Sequence, residues 1–130
     1  MINDGNRCNI SPELISDSLS VFAEFGSAVA AIPCVEAVFK SHDGGKSSTQ
    51  SIPREELYRT QTPHTYTLGK LLWAHKEAGE RGITDTAASC SLMEALGEEV
   101  HFSKGLETNL KITTQEDLLI FKALRNSKNK

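Results

Sequence analysis

The chain has 130 residues, 38% of them hydrophobic and 24% charged, which suits one domain with its own core and excludes a coiled coil or a disordered chain. Its formal net charge of -3 argues against a broad nucleic-acid-binding surface, but a few basic residues are enough to bind one phosphate. The three cysteines are scattered and form no zinc pattern, and neither a signal peptide nor a membrane-spanning stretch is found, so we expect a cytoplasmic protein.

The first elements are a helix and a buried strand. Ser11 followed by Pro12 is typical of a helix start, and apolar residues then recur at helical spacing until Gly26, which is typical of a helix end. Residues 28–32 form a continuous apolar run, the pattern of a strand that is buried on both faces. Pro33 ends this run.

A polar hairpin is predicted for residues 34–53. Residues 35–41 alternate between apolar and polar, residues 42–46 form a glycine-containing turn, and residues 49–52 make a return strand. A two-stranded ribbon with so little to bury is marginal alone and needs another surface to pack on. We therefore expect a protruding arm.

The second half of the chain alternates between helices and short strands. Helices are predicted over about residues 66–81 and 87–96, strands at 100–102 and 110–112, and a polar tail that frays at 126–130. A capping box between Thr113 and Glu116 is expected to open the last helix. This alternation predicts an α/β fold with a largely parallel sheet.

Four segments carry a family resemblance, and they occur in the order 3–7 (NDGNR), 31–33 (AIP), 57–63 (LYRTQTP) and 109–118 (NLKITTQEDL). Together they resemble the 2-C-methyl-D-erythritol 4-phosphate cytidylyltransferase family, which includes ribitol-5-phosphate cytidylyltransferases. The resemblance covers nearly all of this chain but only about the C-terminal half of a typical member. It implies a partial doubly wound, Rossmann-like fold over residues 1–130.

The resemblance also implies an activity and partners. Family members transfer CMP from CTP to a polyol phosphate in isoprenoid biosynthesis and release pyrophosphate. The hairpin arm, about residues 34–58, crosses to a second subunit of a homodimer. Members begin with a strand and a glycine-rich loop that holds the CTP phosphates, whereas Gly44 and Gly45 lie in the predicted hairpin turn. We therefore expect this chain alone to be inactive.

The reaction needs positioning and charge neutralisation more than a strong base, because the attacking phosphate oxygen is already anionic. The resemblance assigns Asp4 as the residue that binds Mg²⁺ and Lys111 and Arg54 as catalytic residues. It assigns Arg7, Thr62 and Thr84 as substrate-binding residues. A carboxylate suits Mg²⁺, which prefers oxygen ligands.

Several choices stay open at this stage. Arg59 competes with Arg54, and the threonine position aligns with Thr84, Thr86 or, without a gap, Ala87. Cys8 and Ala37 replace a family proline and threonine. The substrate expected first is 2-C-methyl-D-erythritol 4-phosphate. Ribitol 5-phosphate is the alternative, and a non-catalytic dimerisation module is the second hypothesis.

The four histidines share no helical face and no metal-binding spacing. We therefore predict structural roles for all of them, and helix packing for Trp73.

Overall fold

The computed structural model describes residues 1–128 of the chain. Four helices and five strands follow one another, with a short 3₁₀ turn at Arg54–Glu56. In chain order they are α1 (Pro12–Phe25), β1 (Ser27–Pro33), β2 (Val38–Lys40), β3 (Gln50–Ile52), β4 (Tyr58–Tyr66), α2 (Leu68–Arg81), α3 (Ser89–Ala95), β5 (Phe102–Lys104) and α4 (Gln115–Lys128). The predicted fraying from residue 126 is not seen up to Lys128, and residues 129–130 lie outside the described part.

The central sheet has three strands in the order β4-β1-β5. β1 runs parallel to β5 and antiparallel to β4, so the α/β class is confirmed but a mainly parallel sheet is wrong for the strands described. β4 was not predicted. The strand predicted at residues 110–112 does not form; instead the Ile112 amide donates to the carbonyl of Asn6 at 2.9 Å.

The predicted α1 and β1 are confirmed. The Ser11 hydroxyl accepts a hydrogen bond from the Leu14 amide, and Gly26 ends the helix in the left-handed conformation, at φ 76°. β1 is buried along its length up to Pro33. Val29 of this strand belongs to a hydrophobic core with Tyr66 and with the inner faces of α2 and α3.

The arm, residues 34–58, stands apart from this core. Among the strands of residues 1–128, β2 and β3 pair only with each other. Phe39 is 59% exposed and Val35 is 60% exposed. The predicted hairpin is therefore present, with shorter strands, and its base is closed by a hydrogen bond from the Cys34 amide to the Leu57 carbonyl, at 2.9 Å.

The capping box of α4 is shifted by one residue from the prediction. The Thr114 hydroxyl accepts from the Asp117 amide at 3.2 Å, and the Asp117 carboxylate accepts from the amides of Thr113 and Thr114. The Thr113 amide contributes most to lowering the pKa of Asp117 to about 2. The box assigned to Thr113 and Glu116 was wrong because two adjacent threonines and two adjacent acids offer both registers. Within residues 1–128, the helices are all too short or too polar to cross a membrane.

Candidate functional site

A cleft of about 270 Å³ lies beside β4. Four segments line it: the N-terminal turn, residues 60–62 and 64 of β4, residues 87–89 leading into α3, and Lys111. The segments are far apart in the sequence, so only the folded chain brings them together. Asp4, Arg7, Thr62 and Lys111, four of the six residues assigned from the family resemblance, all line this one cleft.

One wall of the cleft is cationic. The Asp4 Oδ2 atom lies 3.2 Å from Arg7 Nε and 3.5 Å from Lys111 Nζ. Two cations face one carboxylate, which leaves one positive charge in excess. The Arg7 side chain is 11% exposed and that of Lys111 is 48% exposed, so the arginine is fixed while the lysine can reach a ligand. Such a wall suits a phosphate group.

Hydrogen bonds across the fold hold this wall in place. The Thr62 hydroxyl accepts from the Asp4 amide at 2.9 Å and donates to Asn3 Oδ1 at 2.9 Å. The Arg7 guanidinium also donates to the Asn109 carbonyl at 2.6 Å. Each of these bonds joins the N-terminal turn to a segment that is distant in the sequence, either β4 or the region of Asn109. The cationic wall is therefore preorganised.

Two supporting residues were not singled out from the sequence. Asn109 is fully buried and donates to the Thr62 carbonyl at 2.8 Å, and Gln61 exchanges hydrogen bonds with the backbone of Leu106. Both lie in segments that carry the family resemblance, 57–63 and 109–118. Their amide side chains, which both donate and accept, were the available signal.

A second wall of the cleft, formed by His64 and residues 87–89, has no charged side chain of its own, although Asp4 and Arg7 are close enough to affect the pKa of His64. His64 is buried, and its backbone pairs with Ile2 through two hydrogen bonds. Its Nδ1 atom lies 2.6 Å from the Ser89 hydroxyl. Burial lowers the pKa of His64, and the Gln61 carbonyl, which favours the protonated ring, does not offset this. Sequence reasoning gave His64 a structural role and did not consider Ser89.

Two assigned residues lie elsewhere. Arg54 is exposed in the arm, where it donates to the Val35 carbonyl at 3.2 Å and contacts Glu55. Thr84 is exposed between α2 and α3, and the cleft is lined there by Ala87, the residue of the ungapped alternative. Arg59, the competitor of Arg54, lines an adjoining hollow beside Arg7 and Lys111, and pairs with Glu107 at 2.8 Å.

The residues fit a magnesium ion only in part. Within residues 1–128, no group of three or more histidine, cysteine or acidic side chains is placed to hold a metal. The ion pairs of Asp4 with Arg7 and Lys111 both use its Oδ2 atom, so they do not involve Oδ1. Mg²⁺ is commonly held by one or two carboxylates together with substrate phosphates and water. Asp4 therefore fits an ion that is shared with a substrate, and not a site built from this chain alone.

The fold and the site together define an α/β protein with a cationic cleft beside its central sheet, a kind of cleft that suits an anionic group. The model of the family described as 2-C-methyl-D-erythritol 4-phosphate cytidylyltransferase matches residues 1–126, so the chain belongs to this family.

Two kinds of cytidylyltransferase are similar to this chain. The 2-C-methyl-D-erythritol 4-phosphate cytidylyltransferase of Gloeobacter violaceus is 40% identical over 126 residues, which are 95% of this chain and 53% of that protein. The ribitol-5-phosphate cytidylyltransferase of Lacticaseibacillus paracasei is 33% identical, over 98% of this chain and 55% of its own length. The chain thus spans about half the length of these curated relatives.

A solved structure supports the same fold. The crystal structure of 2-C-methyl-D-erythritol 4-phosphate cytidylyltransferase from Thermus thermophilus matches with a TM-score of 0.82 and 29% identity. The match covers 94% of this chain and 59% of that one.

Proposed function

We propose that this chain forms the polyol-phosphate side of a cytidylyltransferase that transfers CMP from CTP to 2-C-methyl-D-erythritol 4-phosphate. The observation that carries the proposal is the cluster of Arg7, Lys111 and Asp4 within 3.5 Å contacts in one cleft. The 2-C-methyl-D-erythritol 4-phosphate cytidylyltransferase of Gloeobacter violaceus is 40% identical over nearly the whole chain.

The roles of the cleft residues follow from the reaction. Lys111 and Arg7 would bind the phosphate of the polyol and reduce its charge repulsion with the α-phosphate of CTP. Thr62 would keep Asp4 in place through its hydrogen bond to the Asp4 amide. Asp4 would hold Mg²⁺, which supplies further charge neutralisation when bound. A phosphate monoester is already anionic near neutral pH, so a general base is not required.

The proposal assigns the two substrates to different parts of a longer enzyme. Residues 1–128 contain no glycine-rich loop between a strand and a helix, and the relatives are about twice as long as the chain. We therefore assign the CTP triphosphate to the part of these relatives' length that the 130 residues do not span. The chain alone is expected to bind a polyol phosphate without turnover.

The proposal also includes a homodimer formed through the arm. The arm does not join the main sheet, and its apolar side chains Val35 and Phe39 are exposed. Arg54 lies outside the cleft of its own subunit, so its assigned role would require the arm to reach the cleft of a partner. The same arrangement would bring a further cation to the phosphate.

The test is a fusion in which the N-terminal half of the Gloeobacter violaceus relative precedes this chain. Pyrophosphate release is measured with CTP and either 2-C-methyl-D-erythritol 4-phosphate or ribitol 5-phosphate. We expect turnover with the first substrate and a fall of about a hundredfold or more in Lys111→Gln, because one positioned charge is lost. Lys76→Gln is the control, because Lys76 is on α2 with a 79% exposed side chain.

Other outcomes have a clear meaning. Turnover with ribitol 5-phosphate only would replace the substrate with that of the second group of relatives. If neither substrate reacts while the fusion is folded and binds CTP, the enzyme proposal is wrong and the non-catalytic dimerisation module takes its place.

A further inference from the structure

The two walls of the cleft differ in chemistry, and the difference corresponds to the two ends of a polyol phosphate. The wall of Arg7 and Lys111 is cationic, whereas the wall of His64 and residues 87–89 carries no charged side chain. A phosphate is anionic, and the rest of a polyol is uncharged and rich in hydroxyl groups. The uncharged wall is therefore the part of the cleft that suits hydroxyl recognition.

Ser89 is the residue of this wall that can bind a hydroxyl group. Its neighbours Ala87 and Ala88 have no polar side-chain atoms, and Thr84, which the family resemblance assigns to the substrate, lies outside the cleft. The Ser89 hydroxyl makes a 2.6 Å hydrogen bond with His64 Nδ1. Ser89 thus supplies a side-chain hydroxyl in the region where the resemblance expects one from a threonine.

His64 fixes the direction of the Ser89 hydroxyl. His64 is 5% exposed, the backbone of its strand is hydrogen-bonded to Ile2, and burial lowers its pKa, which favours the neutral ring. A neutral imidazole either accepts from the serine or donates to it through Nδ1. In the first case the serine oxygen is left to accept from a ligand, and in the second its hydrogen is left to donate. A substrate hydroxyl is complementary to both arrangements.

A second neutral group, the phenol of Tyr66, lies next to Ser89. Tyr66 is buried, and within the described part of the chain its hydroxyl has no partner in good hydrogen-bond geometry, although Ser89 is close enough to lower its pKa slightly. Burial is the main cause that raises the pKa of Tyr66 to about 12. Ser89 is therefore next to two buried, neutral polar side chains, His64 and Tyr66, and a hydrogen bond in such surroundings is stronger than in water.

We propose that Ser89, oriented by the positioning residue His64, contacts a hydroxyl group of the polyol phosphate and sets the preference of the cleft for hydroxylated phosphates. This inference rests on the proposed function, because it deepens the account of the same cleft. It assigns substrate discrimination to the uncharged wall and phosphate binding to the cationic wall.

The experiment uses the fusion described above and compares Ser89→Ala with Ser89→Thr. In Ser89→Ala we expect the KM for the polyol phosphate to rise about tenfold, the effect of one lost hydrogen bond, while the KM for CTP is unchanged. Ser89→Thr keeps a hydroxyl and is expected to restore most of the affinity. Ser91→Ala, on the same helix but outside the cleft, is the matched control and should behave as the parent.

Inhibition by inorganic phosphate tests the contributions of the two walls separately. As a competitive inhibitor against the polyol phosphate, it should inhibit the parent and Ser89→Ala equally and Lys111→Gln much less. His64→Gln should raise the KM for the polyol phosphate without changing inhibition by inorganic phosphate. A purely structural role of His64 would weaken both, and melting curves of each variant show whether the fold is retained.

Two results would overturn the inference. If Ser89→Ala leaves the KM for the polyol phosphate unchanged, or weakens inhibition by inorganic phosphate to the same extent as it raises that KM, the serine does not bind a substrate hydroxyl. Loss of turnover in Lys111→Gln would still support the proposed function in that case. If no polyol phosphate is turned over by the parent fusion, the proposed function fails and this inference fails with it.

Discussion

The cleft and the arm are held together by different kinds of contact. In the N-terminal turn that lines the cleft, the hydrogen bonds of Asp4, Asn6 and Arg7 reach partners 58, 106 and 102 residues away. At the tip of the arm, the carboxylate of Asp43 accepts hydrogen bonds from residues no more than four positions away. The Ser41 hydroxyl, followed by that of Ser47, holds the pKa of Asp43 far below its usual range.

This difference separates what depends on the whole fold from what is local. The geometry of the cleft requires β1, β4 and the segment after β5 to be in register, because its residues come from all parts of the chain. The arm is a local unit that closes on itself. Perturbing the contact between β1 and the segment after β5 should therefore damage the cleft, whereas perturbing the arm should not.

The largest effect on folding is expected from Gly105→Ala. A Cβ atom at residue 105 would lie 2.7 Å from the Ala31 carbonyl oxygen and 2.8 Å from Ile32 Cγ2, so β1 and the following segment must move apart. We expect the free energy of unfolding to fall by about 1–3 kcal/mol, as in overpacked cores. Urea denaturation measures it.

Gly79→Ala is the matched control. Gly79 lies in α2, and a Cβ atom there would meet no atom within 4 Å. Because alanine favours helices, this variant should be more stable by about 0.5–1 kcal/mol. If Gly105→Ala were as stable as Gly79→Ala, the packing of residue 105 against β1 would not be a constraint on the fold.

A second, intermediate effect is expected from pH, through His64. Its pKa is lowered by burial, so the unfolded chain takes up a proton at this residue at a higher pH than the folded chain. The free energy of unfolding should therefore be highest above the ordinary histidine pKa of about 6.5 and should decrease as the pH falls below it.

Urea denaturation between pH 5 and pH 8 tests this prediction. His64→Gln should reduce the dependence of stability on pH in that window, and His42→Gln, which removes an exposed histidine from the arm, is the comparison. An unchanged pH dependence in His64→Gln would show that burial of this imidazole does not contribute to acid destabilisation.

The parts of the fold that follow from local patterns could be predicted from the sequence. α1 has its serine cap, its proline and its closing glycine, and β1 is a continuous apolar run. β4 could not be predicted because its buried half is mostly polar. Several of its buried polar groups have distant partners: the Thr65 hydroxyl, for example, hydrogen-bonds to the Ser18 hydroxyl at 2.8 Å. A polar segment with remote partners resembles a loop when the sequence is read alone.

The same distinction applies to the site. The family resemblance selected Asp4, Arg7, Thr62 and Lys111, which the structure brings to one cleft. It did not select His64 and Ser89, because their pairing depends on how the irregular segment before α3 folds over β4. In that segment the sequence offers three alignments, and spacing alone cannot choose among them.

The smallest effect on the stability of the subunit is expected from shortening the arm. Val38 pairs with Ile52, so residues 39–51 can be replaced by Asn-Gly, a two-residue hairpin turn. We expect the free energy of unfolding of the subunit to change by no more than about 1 kcal/mol, because a closed local loop is only made shorter. In sedimentation, the shortened chain should be a monomer and the parent chain a dimer.

His42→Ala, which keeps the length of the arm, should remain dimeric and serves as the control. A shortened chain that still dimerises would show that another surface forms the interface, and Arg54 would then have no route to a partner cleft. A shortened chain whose free energy of unfolding falls by several kcal/mol would contradict the view that the arm, unlike the cleft, is a local unit. The arm would then support the same long-range contacts as the cleft, despite pairing only with itself in the described sheets.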